Sequence, residues 1–308
     1  MSLAFVFPGQ GSQSVGMLSE LAAAYPVVQQ TFQEASEVLG YDLWKLVTDG
    51  PAEELNQTHI TQPALLAAGI AVWRVWQEKG GAQPEVMAGH SLGEYTALVA
   101  AGALSFADGI ALVAERGRYM QEAVPAGAGA MAAILGLEDA KVIDICAQAA
   151  EGEVVSAVNF NSPGQVVIAG QAAAVDRAMA LAKEAGAKRA LPLAVSAPSH
   201  CALMKPAAER LAEKLASIEI SSPRIPVINN ADVAMPTDAE SIRSALVRQL
   251  YSPVRWVESV EKMAADGVER LVECGPGKVL VGLNKRIVKT MGATAIFDTA
   301  SLEAALAE

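Results

Sequence analysis

The chain has 308 residues, 52% hydrophobic and 19% charged, which is apolar material for one large domain or two fused ones and excludes a disordered chain. A formal net charge of -11 argues against nucleic acid as a partner, so any basic group that meets an anionic substrate has to be local. Three scattered cysteines, Cys146, Cys201 and Cys274, lack paired or metal-ligand spacing and point to a reducing compartment, the cytoplasm.

Leu3–Phe7 reads as a buried first strand, because no basic lead precedes it as in a signal peptide. Pro63 at a first helical position, after Thr61 as cap, predicts a helix to Lys79. Its apolar run Ala64–Trp73 is half a membrane span and stops at Arg74, so no membrane is expected. Glu85–Gly89 is a strand, and Leu92–Ala101 a helix ended by Gly102. Ser105-Phe-Ala-Asp108 resembles a capping box for a helix reaching Ala123.

Val124-Pro-Ala-Gly-Ala-Gly-Ala130 marks a boundary. Beyond it follow strand Met131–Leu137, helix Glu138–Ala150, strand Val154–Phe160, a turn at Asn161–Gly164, strand Gln165–Ala169, helix Ala172–Ala185 and strand Lys188–Val195. This βαββαβ order is the ferredoxin-like unit, complete in about seventy residues, so residues 126–195 are expected to be an inserted subdomain. The core, residues 1–125 and 196–308, resumes with helix Cys201–Ser217, strand Ile225–Asn229, helices near Ser241–Leu250 and Pro253–Ala265, strand Val268–Val272 and helix Lys278–Lys289. Strands alternating with helices predict an α/β fold with a mainly parallel, hydrolase-like core sheet.

Gly89-His-Ser-Leu-Gly93 lies between a strand and a helix and fits G-x-S-x-G. In such an elbow the turn is too tight for side chains two residues either side of the serine, and the hydroxyl of Ser91 is pushed above the sheet. The N-terminus of the following helix favours a negative oxygen developing there. A plain Gly-rich turn is the alternative, and the flanking strand and helix favour the catalytic reading.

Serine needs a base. His90 adjoins Ser91 and points elsewhere in a tight turn, as a packing or turn residue; His59 lies in a polar loop and suggests a surface role. His200 stands between a strand and a helix, and strand-to-helix connections of a parallel sheet share one edge, so it is the expected base, with helix capping as the alternative. No acid stands out as a third member. Either a dyad operates or a carbonyl orients the imidazole, and Gln249, near a helix end, offers a carbonyl of either kind.

At helical spacing Arg118 shares a self-paired face with Glu115 and Glu122, whereas Arg116 shares one with Leu112, Val113 and Met120. An arginine on an apolar face needs a partner anion, either a structural carboxylate or, so near the nucleophile, a substrate carboxylate held bidentately. Pro8-Gly-Gln-Gly-Ser-Gln13 fails the dinucleotide fingerprint because Ser14 stands at the third glycine, and Val279 after Gly275-Pro-Gly-Lys278 fails the Walker pattern. The exposed N–H of Gln10 fits better as a second oxyanion donor beside that of Leu92.

Together, Phe7-Pro-Gly-Gln-Gly-Ser12, Gln62-Pro63, Gly89-His-Ser-Leu-Gly-Glu-Tyr95, Ala114-Glu-Arg-Gly117, Asn159-Phe-Asn-Ser-Pro-Gly-Gln165, Pro198-Ser-His200 and Glu273-Cys-Gly-Pro-Gly277 resemble the malonyl-CoA:acyl carrier protein transacylases of bacterial fatty acid synthesis. The resemblance runs from the first strand to the last helix. It implies Ser91 as nucleophile, His200 as base, Arg116 on the malonyl carboxylate, Gln10 and Leu92 N–H groups as oxyanion hole, and Gln249 orienting His200 through its carbonyl. It also implies malonyl-CoA and acyl carrier protein as partners, no cofactor or metal, and a monomer. Ser196-Ala-Pro-Ser-His200 matches neither of the four-residue patterns that related polyketide enzymes use for malonyl or methylmalonyl, so a polyketide-type enzyme with another extender unit stays open there, as does a serine thioesterase or esterase. A non-catalytic nucleotide-binding module is the reading furthest from these. For the acidic carrier, Lys278, Lys285 and Lys289 with Arg286, expected along one helix, or Lys188-Arg189, are the candidate contacts.

Overall fold

The computed structural model describes residues 2–195 and 197–308 of the protein; Ser196, the first residue of the expected second core segment and of the Ser196–His200 pattern, lies outside them. In chain order the elements begin with β1 (Leu3–Phe7), α1 (Ser19–Ala24), α2 (Pro26–Leu39), α3 (Leu43–Asp49), α4 (Ala52–Leu55), α5 (Thr58–Glu78), β2 (Val86–Gly89), α6 (Leu92–Ala100) and α7 (Phe106–Glu122). Then come β3 (Gly129–Leu135), α8 (Asp139–Ala150), β4 (Val155–Ser162), β5 (Gln165–Gln171), α9 (Ala172–Glu184) and β6 (Arg189–Pro192). The chain closes with a 3-10 turn at Ala202–Met204, α10 (Lys205–Ala216), β7 (Val227–Ile228), α11 (Ala239–Gln249), α12 (Trp256–Ala265), β8 (Arg270–Cys274), α13 (Val279–Ile287), β9 (Gly292–Ile296) and α14 (Thr299–Ala307).

The fold is mixed α/β, with one parallel and one antiparallel sheet. The five-stranded sheet has the order β7-β2-β1-β8-β9 and every pairing in it is parallel. Its central strands are buried on both faces, and β1 and β2 are wholly apolar, as a sheet covered by helices on both sides requires. The two-residue period of β1 sends Leu3, Phe5 and Phe7 into a core with α2, α5 and α7, and Ala4 and Val6 into a second core with α12 and α13. Phe7 pairs with Gly89, so the segments after β1 and β2 leave the sheet at one edge, where the site lies.

The second sheet has the order β4-β5-β3-β6 and is antiparallel throughout. One face packs on α8 and α9 through residues such as Ile134, Ile145, Ile168 and Val175. Met131, Val158, Val167 and Ala169 on the other face meet Cys201. Val254 fastens the two parts together by accepting from Phe160 N (3.0 Å) and donating to Val158 O (2.8 Å).

Several boundaries differ from the sequence expectation. Helix α5 starts at Thr58, with Pro63 inside it, and Thr61 does not cap. Its hydroxyl donates to Leu55 O (2.6 Å) and Gln57 O (3.1 Å) instead. The polar segment is helical because α7 packs on it: a Cβ at Gly117 would lie 2.6 Å from the Cα of His59. Pro206 in the first turn of α10 separates that helix from the turn after His200, and Pro226 shortens β7. Ser105 does cap α7, accepting from Asp108 N (3.0 Å). Helix α13 ends at Ile287 and Val288 is extended, so Lys289 lies beyond the helix and Lys278 sits at its N-cap; the basic residues do not share one helical face. No helix among the described residues is long and apolar enough to cross a membrane.

Candidate active site

Ser91 sits between β2 and α6 with φ 51 and ψ -108, a conformation costly for a side-chain-bearing residue. The flanking glycines make the turn possible by their lack of Cβ: one at Gly89 would lie 1.9 Å from the carbonyl carbon of Gly93, and one at Gly93 2.0 Å from Phe7 O. Side chains from the segment after β7 and from α11 hold the strained turn. Asn230 Oδ1 accepts from Ser91 N (2.8 Å) and its Nδ2 donates to Gly89 O (2.7 Å), while Gln249 Nε2 donates to Ser91 O (2.9 Å).

His200 reaches the serine: its Nε2 lies 2.7 Å from Ser91 Oγ. Its Nδ1 lies 2.7 Å from the backbone carbonyl of Gln249, which can only accept. The proton therefore belongs on Nδ1, and Nε2 turns its lone pair to the hydroxyl. The imidazole is 3% exposed. Burial first, and the Arg116 charge second, push it down to about 3, partly offset by the Gln249 carbonyl. The site thus holds a neutral histidine.

Arg116 is 1% exposed and enters the same place. Its Nη1 donates to Gln62 Oε1 (2.8 Å), and its Nη2 donates to Gln249 Oε1 (3.0 Å) and Ser91 Oγ (3.2 Å). The guanidinium lies over the Tyr95 ring at 5.0 Å, and its Nε has no hydrogen-bond partner among the described residues. Among the described residues it makes no ion pair with a carboxylate, whereas Arg118 pairs outside with Glu115 and Glu122 as its spacing predicted. A buried cation held by two amides and a hydroxyl has the chemistry to accept an anion.

Gln10 lines a cleft of about 180 Å³ with Ser91 and His200, together with Met131 and Asn161 of the antiparallel sheet. Its side chain is fastened to Thr58 Oγ1 (3.2 Å). Leu92 is the first residue of α6. Among the described residues no protein acceptor takes up the backbone N–H of either, so both are free to donate.

The other histidines stand apart. His90 Nε2 lies 2.7 Å from Asn161 Oδ1 and its ring packs on Trp256, a packing residue as expected. His59 belongs to α5, not to a loop, with Nδ1 2.7 Å from Gln121 Oε1. Lys285, Arg286 and Lys289 are exposed, and Arg286 donates to Gln165 Oε1 at the start of β5 (3.2 Å).

Sequence reasoning assigned no role to Gln62, Glu94 or Asn230. Gln62 is a buried amide on an apolar helix, a legible signal. Asn230 follows the end of β7, at the edge that carries Ser91, which was also readable. Glu94, 2% exposed, accepts from Asn230 N (2.9 Å) and Gln249 Nε2 (2.8 Å), both on Oε2. Burial raises its carboxyl to about 7, against the opposing pull of those bonds and of Arg116.

Residues 4–300 match the acyl transferase domain family. The malonyl CoA-acyl carrier protein transacylase of Salmonella typhimurium is 65% identical over 305 residues, 99% of each chain. An acyl carrier protein S-malonyltransferase from Vibrio cholerae has a crystal structure with TM-score 0.97 to this one, at 67% identity over 99% of each chain. A type II PKS malonyl-transacylase, solved in complex with its acyl-carrier protein, superposes with TM-score 0.99 at 63% identity, over 100% of this chain and 99% of that one. The chain belongs to the acyl transferase domain family and, within it, to the malonyl CoA-acyl carrier protein transacylases.

Proposed function

We propose that the protein moves the malonyl group from malonyl-CoA to the phosphopantetheine thiol of acyl carrier protein, through a malonyl ester on Ser91, and so supplies fatty acid synthesis in the cytoplasm. The observation that carries this reading is the Ser91 hydroxyl lying within reach of both a neutral imidazole and an arginine with no carboxylate of its own. A monomer needing no cofactor or metal suffices, because exchanging thioester for ester and back is near balance. Residues 1–125 with 196–308 form the hydrolase-like core in this reading, and residues 126–195 the ferredoxin-like insert that closes the cleft from above.

Malonyl-CoA enters with its carboxylate toward Arg116. His200 Nε2 takes the Ser91 proton as Oγ attacks the thioester carbon, and the resulting oxyanion lies against the N–H groups of Gln10 and Leu92. The C–S bond then breaks and the imidazolium gives its proton to the departing thiolate. The incoming carboxylate also offsets the Arg116 charge that depresses His200, so the base strengthens when substrate is bound. Acylation takes Ser91 Oγ away as an acceptor for Arg116 Nη2, which releases that N–H for the malonyl carboxylate. The carrier's thiol reverses the sequence: His200 accepts its proton, and Ser91 recovers one as the ester C–O bond breaks. The Gln249 carbonyl keeps Nδ1 protonated throughout, in place of a third acid.

Uptake of radiolabel from malonyl-CoA by wild type and by Ser91→Ala tests the scheme. Label on wild type and none on the variant is expected; label retained by Ser91→Ala removes the acyl-serine. A thioesterase would instead release free malonate at the rate of loading.

A further inference from the structure

We infer that Glu94 is a positioning residue whose carboxylate fixes the orientation of the Gln249 side-chain amide, and through it sets Arg116 for an acid-tipped acyl group. The inference rests on the malonyl-transfer reading and concerns a residue that touches neither substrate nor nucleophile.

Gln249 serves three groups at once. Its backbone carbonyl holds His200, its side-chain Oε1 accepts from Arg116 Nη2, and its Nε2 donates to Ser91 O. An amide can be turned end for end at little intrinsic energy, so its orientation is decided by its neighbours. Here Nε2 faces acceptors only: Glu94 Oε2 at 2.8 Å, Ser91 O at 2.9 Å and Asn230 Oδ1 at 3.3 Å. Glu94 Oε2 already accepts from two N–H groups, so it presents only an acceptor to the amide. Reversal of the amide would set Oε1 against Glu94 and point NH2 at the guanidinium, placing like partners together at both ends. The same Glu94 oxygen receives Asn230 N (2.9 Å), and Asn230 Oδ1 holds Ser91 N (2.8 Å). One buried carboxylate, placed a single helical turn after the nucleophile, therefore anchors both amides that bracket the strained Ser91 backbone. Without an acceptor at position 94, Gln249 has less reason to keep its oxygen toward Arg116, and the guanidinium loses one of its two amide restraints.

The test compares Glu94→Met, which keeps the length but removes the acceptor, with Glu94→Gln, which keeps a carbonyl. Each is loaded with malonyl-CoA and with acetyl-CoA, and the ratio of the two kcat/KM values is read, because a mere loss of folded enzyme leaves that ratio unchanged. The expected result is a fall of at least about tenfold in the malonyl-to-acetyl ratio for Glu94→Met and of less than about threefold for Glu94→Gln, the size of one buried hydrogen bond lost or kept. A wild-type ratio in folded Glu94→Met, or an equal fall in Glu94→Gln, overturns the inference. Should Glu94→Met not fold, the wild type decides. Its Gln249 side-chain amide protons, assigned by their loss in Gln249→Met, should be protected from solvent exchange, and exchange at the rate of an exposed glutamine overturns the inference. Failure of wild type to load malonyl at all would instead sink the transfer reading, so the two failures are distinct.

Discussion

Replacing Arg116 with alanine should separate malonyl from acetyl transfer. The side chain is 1% exposed, and an acyl carboxylate that meets it is desolvated with it. Removing one member of a buried ion pair typically costs about 3–5 kcal/mol, because the other charge is left without a partner. At about 1.4 kcal/mol per factor of ten, malonyl kcat/KM should fall by roughly two to three and a half powers of ten. An acetyl group brings no charge. It suffers only from the loss of the Arg116 bond to Ser91 Oγ and from the freed oxygens of Gln62 and Gln249, a penalty of about 1–3 kcal/mol. Taken at their midpoints the two penalties differ by about 2 kcal/mol, so the malonyl-to-acetyl ratio should drop roughly 30-fold, read as single-turnover loading rates by intact mass, with a melting curve to confirm folding. Arg116→Lys should fall between, since an ammonium keeps the charge but cannot bridge Gln62 and Gln249 in one plane. Equal losses on the two substrates would refute the carboxylate clamp.

Other outcomes follow from the same geometry. In Glu94→Gln, which removes the carboxyl raised to about 7, malonyl kcat/KM should stay level as pH falls through 6.5, because burial and Arg116 hold His200 near 3 and so keep the base neutral; an acidic limb centred at 6.5 in that variant would contradict this. In stability, a histidine with its folded value depressed contributes fully above 6.5 and loses that contribution as pH falls toward 3, whereas Glu94, raised from 4.5 to about 7, contributes below 4.5 and loses it as pH rises through 7. Denaturant midpoints of His200→Gln and Glu94→Gln against wild type should therefore diverge in opposite directions with pH. Gly93→Ala drives a methyl to 2.0 Å from Phe7 O and should lower Tm by about 5 °C or more; an unchanged Tm would mean that the elbow relaxes. Charge reversal at Lys285 and Lys289 should raise KM for the carrier protein while leaving malonyl loading intact, and an unchanged KM would remove that surface from docking.

The site was legible where backbone geometry dictates the residue. Gly89 and Gly93 have to lack side chains, so the elbow and Ser91 could be read directly, and the shared sheet edge then led to His200. Arg116 stood out because a charge on an apolar helix face needs an explanation. The amides were harder. Gln62, Asn230 and Gln249 act across separations of 54 to 158 residues, and no periodicity registers such contacts. That the backbone rather than the side chain of Gln249 holds His200 depends on how α11 ends, which sequence does not specify. In the fold, the βαββαβ order of Gly129–Pro192 was visible from alternating strands and helices, with edges displaced by up to three residues. The early start of α5 was hidden, because contact with α7 and not local propensity makes Thr58–Gln62 helical. Helices α1 to α4 passed unassigned: α1 has six residues and α4 four, too few for a periodic signal. Strand β9 and helix α14 escaped for a related reason, since Gly292-Ala-Thr-Ala-Ile296 is built of small residues with no clear alternation.

Intact mass spectrometry on the wild-type protein tests the central claim most directly. After mixing with malonyl-CoA, the protein should gain the mass of one malonyl group, located on Ser91 by peptide mapping, and should return to its starting mass when holo acyl carrier protein is added, with the same increment appearing on the carrier. A protein whose mass never changes, or an adduct that decays to free malonate without reaching the carrier, would contradict the account.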